Sequence, residues 1–205
     1  KNPVTRRGLA LTPVKFGISF TATWFNQAGA LLHIYKDGSV HLNHGGTEMG
    51  QGLFTKVAQV VATALGLPIE QIKISATRTD KVPNTSATAA SSGADLNAMA
   101  ARNAAIVLKK RLSSFAARHF KIDTESLRFK SGKIDLGDQS ISFSKLVELA
   151  YMNRVQLSAT GFYRTPKIHY DRKNAKGRPF YYFAYGAACS EVVIDTLTGE
   201  YRLLR

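Results

Sequence analysis

Cysteine is nearly missing from this chain: Cys189 is the one thiol in 205 residues. No intrachain disulfide can form, and no metal site can be built on paired thiolates. Its setting, Tyr185-Gly-Ala-Ala-Cys-Ser-Glu-Val-Val193, reads as a strand carrying a buried core thiol. Such sparing use of cysteine fits a reducing, cytoplasmic compartment. No run of roughly eighteen apolar residues occurs, so no segment reads as a membrane span. The stretch Lys1–Gly8 is basic but has no apolar core of signal-peptide length. The sequence does not open on Met and reads as cut from something longer. Internal repeats, low-complexity tracts and clear linkers are missing too.

Carboxylates are also scarce, 14 against 28 lysines and arginines, for a net charge of +14. A charge of that size raises binding to nucleic acid or a membrane surface as a function class. The cations are scattered, however, and densest in Lys109-Lys110-Arg111 and across Arg164–Arg178. Aromatic residues do not interleave with them as RNA recognition requires. A solvated helix face and a partner-facing loop are the simpler readings. No two of the carboxylates stand out as a general acid and base.

What the chain does have is hydrophobic patterning over 44% of its residues, enough for a sizeable core. Arg7–Phe20 reads as one or two strands broken near Pro13. Ala30–Tyr35 and Val40–Asn43 flank an Asp37-Gly38 turn, a strong hairpin signal. His33, His41 and His44 fall on these strands or their turns, at a spacing that does not converge on a metal. Leu53, Val57, Val60, Val61 and Ala64 recur with helical period, and Gly66 is placed to cap that helix. Ile72–Thr77 alternates like a strand. A helix is predicted from about Ser92 to Arg118, roughly 40 Å long at 1.5 Å per residue. A second hairpin turns at Lys130-Ser131-Gly132, Ser144 is placed to cap a short helix over 145–153, and Val155–Thr160 reads as a strand. Arg164–Arg178 reads as an exposed loop, and Tyr181–Ile194 as a strand that turns at Asp195–Gly199. Strands and helices mix without a regular βαβ alternation. The fold class is therefore α+β, with mixed or antiparallel sheets, one long helix and two shorter ones. Residues 1–205 form one unit of a larger domain, with lobes at about 1–120 and 121–205 as a possible division.

The chemically richest stretch is His44-Gly-Gly-Thr-Glu-Met-Gly-Gln-Gly-Leu53, with four glycines where a strand turns into a helix. Backbone amides and the positive helix end converge at such a junction, which suits an anionic cofactor. Gln51 adds an amide that donates or accepts. Glu48 sits in the turn, where a helix-start or hydrogen-bonding role outweighs catalysis. A second helix start, Thr88-Ala-Ala-Ser-Ser-Gly93, is small and hydroxyl-rich. Ser91 or Ser92 caps the helix, or the same hydroxyls and amides take a phosphate. The amides after Met49 and after Ala90 are expected to face one hollow.

Eight segments, in order along the chain, resemble the molybdenum-binding region of xanthine dehydrogenase, a molybdenum hydroxylase. They are Lys15–Thr21, Asn26–His33, Asp37–Val40, His44–Leu53, Val82–Asn84, Thr88–Ser91, Thr160–Pro166 and Ala188–Val192. The resemblance implies an enzyme that oxidises hypoxanthine and xanthine to urate. It implies molybdopterin, plain or as a cytosine dinucleotide, with two 2Fe–2S clusters and FAD elsewhere in the intact protein. It further implies NAD as electron acceptor, the remainder of the large subunit and iron–sulfur and FAD domains or subunits as partners, and an oligomeric holoenzyme. Residue by residue, it implies that Phe20 meets the purine edge-on, with Thr21 and Ala22 beside it. Gly50 and Gln51 correspond to the pterin-contacting turn. Ala89 and Ala90 correspond to small residues facing substrate and cofactor, Ala90 near molybdenum without ligating it, and Thr88 and Ser91 lie at the cofactor's polar end. Gly93 stands where relatives often carry a hydroxyl. The family's catalytic glutamate lies in a Gly-Glu-Pro-Pro motif that does not occur here, so no catalytic residue is assigned within this chain. An aldehyde oxidase-like enzyme and a basic nucleic-acid module are the alternative readings.

Overall fold

The computed structural model describes residues 3–205. Its elements run β1 (Thr5–Ile18), β2 (Gln27–Ile34), β3 (Val40–His44), α1 (Leu53–Leu65), β4 (Ile72–Ile74), α2 (Gly93–Phe120), β5 (Arg128–Lys130), β6 (Lys133–Asp135), β7 (Ser140–Ser142), α3 (Phe143–Met152), β8 (Ser158–Arg164), β9 (His169–Asp171), β10 (Lys176–Arg178), β11 (Tyr182–Asp195) and β12 (Tyr201–Leu203). The α+β class holds, with α2 at 28 residues and α1 and α3 at 13 and 10. The chain divides into two compact units. One joins the N-terminal residues through Ile18 to Phe180–Arg205, and the other is Ser19–Pro179.

The larger unit holds the core. A four-stranded sheet runs in the order β4-β3-β2-β8, with β2 antiparallel to β3 and β8, and β3 parallel to β4. The turn from β2 to β3 closes at Asp37, whose carboxylate accepts from the Ser39 amide and hydroxyl, as the Asp-Gly signal requires. α2 lies across β2 and β8 on a face of Ala100, Ala101, Ala104 and Ala105, all fully buried. Small side chains there bring helix and sheet close: a Cβ on Gly161 of β8 would sit 2.0 Å from the Ala100 carbonyl oxygen. Asn103 and Arg111 bind the two elements further, donating to the carbonyls of Phe162 and of Gln156 and Ser158. α1 packs on α2 through Val57, Val61 and Leu65, and ends at Gly66 in the left-handed region. The three short strands β5-β6-β7 close over Ile134 beside α3, where Phe143, Leu146 and Val147 are buried.

Several sequence expectations change. Ser142, not Ser144, caps α3, because its Oγ accepts from the Lys145 amide and the helix begins two residues earlier. β4 is only three residues long, and β8 starts at Ser158 rather than Val155. Arg164–Arg178 contains the β9–β10 hairpin, turned by Asp171 accepting from the Lys173 and Asn174 amides.

The smaller unit is one three-stranded antiparallel sheet, β1-β11-β12. β1 is unbroken through Pro13, which pairs with Ala187. Proline is tolerated because β1 is an edge strand, so the missing N–H faces no partner. One face of this sheet pairs Val14 with Gly186, Phe16 with Ala184, Val192 with Leu203 and Ile194 with Tyr201. The unit has no helix or second sheet of its own to cover them. Cys189, expected to be buried, pairs with Leu11 on the opposite face, which the unit leaves bare as well, and it is exposed there. The apolar alternation marked a face without marking a core.

Candidate functional site

The site is built where β3 leaves the sheet. His44 is the last residue of β3 and is 1% exposed. Its Nδ1 accepts from the Gly46 amide at 3.1 Å, so the proton resides on Nε2. Burial holds the imidazole neutral and pushes its pKa down to about 4, a shift only partly opposed by Asn97 beside it. Nε2 of His44 and Oδ1 of Asn97 are both buried, and neither has a hydrogen-bond partner of good geometry among the described residues. Asn97 Nδ2 donates to the Gly93 carbonyl one turn back, within the first turns of α2. Gly46 is required here: a Cβ would sit 2.6 Å from Leu53 and 2.7 Å from Asn97.

The following turn is closed from within. The Glu48 carboxylate accepts from the amides of Gly50 (2.9 Å), Gly52 (3.0 Å) and Phe54 (3.0 Å). Those amide hydrogen bonds, the one from Phe54 first, hold its pKa below the usual carboxylate value. Gly52, at φ 75°, is the N-cap of α1 and has no side chain to offer, so Glu48 does the capping from four residues upstream. Gln51 folds back as well: its Oε1 accepts from the Met49 amide at 2.6 Å, and its Nε2 donates to the Thr47 carbonyl at 2.9 Å. The Gly50 N–H, expected to face the hollow, is therefore taken by Glu48. Among the described residues the Gln51 N–H has no such partner.

The second helix start has the opposite character. Ala90 and Ser91 both hold φ near +53°, a region unfavourable to side chains. Ser92 is the N-cap of α2, but its hydroxyl donates to the Ala89 carbonyl and caps no helix amide. The Ala90 and Ser91 N–H groups have no hydrogen-bond partner among the described residues. Thr88 ties this loop to the other, its Oγ1 accepting from the Thr47 amide at 2.8 Å. Gly93 lets Thr88 come close; a Cβ at 93 would meet its methyl at 3.1 Å.

Together the two loops line one cleft of about 470 Å³, bounded by Met49, Gln51, Leu53, Lys56, Thr88, Ala89, Ala90, Ser91, Gly93 and Ala94. A volume of that order suits a cofactor-sized molecule. Thr88–Ser91 and Gln51, singled out from sequence, thus share a wall, whereas Gly50 is not among the lining residues. Phe20, Thr21 and Ala22 are not among the lining residues. They form a separate turn before β2, where Phe20 exchanges backbone hydrogen bonds with the Asn26 side chain and its ring meets Phe25 edge-on at 5.6 Å. Lys56 is the cleft's one charged lining residue, and sequence reading missed it. Its position three residues after Leu53 on α1, one turn along the same side, was the available signal. The Thr47–Thr88 and His44–Asn97 links had none, because each joins residues more than forty positions apart. No group of three or more His, Cys, Asp or Glu converges as a metal site among the described residues. Among the described residues no helix is long and apolar enough to cross a membrane.

Residues 1–205 match the family model described as "Molybdopterin cofactor-binding domain". The chain belongs to that family. It is 48% identical over 205 residues to "Xanthine dehydrogenase/oxidase" of Gallus gallus, and 50% identical over 200 residues to the protein of that name in Felis catus. These alignments cover 100% and 98% of this chain but 14% of each relative, so the chain spans about a seventh of their length. Its fold is that of the crystal structure of quinoline 2-oxidoreductase from Pseudomonas putida 86. The TM-score is 0.81 at 20% identity, covering 98% of this chain and 26% of that one. The cleft presents open amides, small side chains and hydroxyls.

Proposed function

We propose that this chain is the part of a xanthine dehydrogenase that cradles the pterin of its molybdenum cofactor and supplies one wall of a purine pocket. The observation that carries the proposal is the shared cleft, in which Gln51 and Thr88–Ser91 come together from loops some forty residues apart. Relatives at 48% and 50% identity bearing the xanthine dehydrogenase name support the choice of substrate class. When bound, the molybdenum cofactor supplies the redox chemistry of a purine hydroxylation. The chain's own residues hold and orient. The N–H groups of Gln51, Ala90 and Ser91 are the donors for the pterin's polar edge, with the Thr88 hydroxyl beside them. Gly50 supplies the positive φ (94°) that the turn before Gln51 needs. The methyl groups of Ala89 and Ala90 leave room for a flat substrate next to the metal, and Phe20, Thr21 and Ala22, on their own turn before β2, are the residues that meet the purine's edge on this reading. Catalytic proton transfer belongs to a glutamate outside this chain. The intact protein, on this reading, is a cytoplasmic oligomer that carries 2Fe–2S clusters and FAD and passes electrons to NAD.

The net charge favours no second reading, since Arg111 is spent on two carbonyls of its own fold and Lys109 lies over the Phe129 ring. The test is made on the full-length protein. Purified enzyme should contain molybdenum and convert xanthine to urate, and residues 1–205 alone should form none. Oxidation of aldehydes with no turnover of xanthine would replace the proposal with an aldehyde oxidase, and a metal-free, inactive protein would end it.

A further inference from the structure

The Gly50 and Gly52 amides both donate to Oε1 of Glu48, and the Phe54 amide donates to Oε2. Gln51 lies between the first two, so its backbone is held from both sides by one carboxylate oxygen. Gly50 and Gly52 have positive φ, and nothing lies within 4 Å of where a Cβ would stand on either. The turn is therefore shaped by hydrogen bonding and by glycine's backbone freedom, not by packing. A residue free of packing needs another restraint if its N–H is to keep one direction, and Glu48 is the group in contact with that backbone. Gln51's side chain is committed to Met49 and Thr47, which leaves its own N–H as the group that this clamp aims.

We propose that Glu48 is a positioning residue: by gripping the amides on either side of Gln51 it fixes the direction in which Gln51 faces the cleft. The inference rests on the reading of that cleft as the cofactor cradle.

The experiment uses the full-length protein, with molybdenum per polypeptide as the readout and melting temperature of the metal-free protein as the control. Glu48→Ala and Gln51→Pro, which removes the Gln51 N–H, should each lower molybdenum content about fivefold, the scale of one hydrogen bond's free energy. The double variant should fall no further than the lower single one, because both changes act through the same N–H. Glu48→Gln keeps one acceptor oxygen and should restore at least half of the content lost in Glu48→Ala. Losses that multiply in the double variant, or wild-type content in Glu48→Ala beside depletion in Gln51→Pro, would overturn the positioning role. If Glu48→Ala does not fold, Glu48→Gln alone decides: content indistinguishable from wild type overturns the role, and a partial loss in protein that still unfolds cooperatively supports it. Wild-type content in both Gln51→Pro and Ala90→Val would instead refute the cradle itself.

Discussion

The two helix starts that face the cleft are made of similar residues and solve opposite problems. The loop before α1 satisfies itself: a carboxylate caps the helix, a glutamine closes the turn, and three of its amides end on Glu48. The loop before α2 leaves amides open and holds two non-glycine residues at positive φ. The difference teaches that a glycine-rich sequence is not by itself the receptive surface. The glycines of the first loop serve a scaffold, and on the proposed reading the strained second loop is the receptive one.

The comparison breaks most readily at Ala90. Valine there adds bulk to the cleft wall and a β-branched side chain at φ 53°. It should abolish molybdenum retention in the full-length protein, as measured by metal analysis; unchanged retention would mean the second loop is not the receptive one. Next in size is His44, which anchors the scaffold loop. Its folded pKa lies at about 4, below the ordinary 6.5, so the unfolded chain binds the extra proton first. Stability is then full above pH 6.5, falls as pH drops, and levels off below about pH 4, a loss on the order of 3 kcal/mol over the window. Denaturant unfolding of the full-length protein against pH should show that slope, and it should vanish in a folded His44→Gln variant.

Smaller effects sharpen the contrast. Gly52→Ala forces a side chain into the left-handed region and should destabilise by roughly 1 kcal/mol, whereas Ala90→Gly relieves the same strain and should stabilise by roughly half to 1 kcal/mol in the metal-free protein. Opposite signs in melting temperature are the prediction; equal signs would remove the distinction between the loops. Smallest is Glu48. Its folded pKa is depressed, so its contribution is present above the ordinary value of 4.5 and fades as pH falls through the folded value. Melting curves of wild type and Glu48→Gln should converge as pH drops below about 4.5.

Much of this was legible in the sequence because it rests on local rules. The Asp37-Gly38 turn, the Gly66 cap and the apolar spacing of α1 and α2 each declare themselves within a few residues. The two loops were legible as helix starts for the same reason. What bound them was not, because Thr47 to Thr88 and His44 to Asn97 are contacts made by tertiary folding. Ser142 displaced Ser144 as a cap because serines two apart carry equal propensity, and backbone entry decides between them. Cys189 misled because alternation reports a face, and the covering of that face is decided elsewhere.

That bare face has a practical side. Phe16, Val14, Tyr201 and Leu203 lie on a three-stranded ribbon whose outer strand offers its edge to any neighbour. Pro13 interrupts the edge's row of donors at its middle, which shortens the template available for cross-chain pairing. When residues 1–205 are produced by themselves, this ribbon is where clumping should begin, and replacing Pro13 by valine should hasten it.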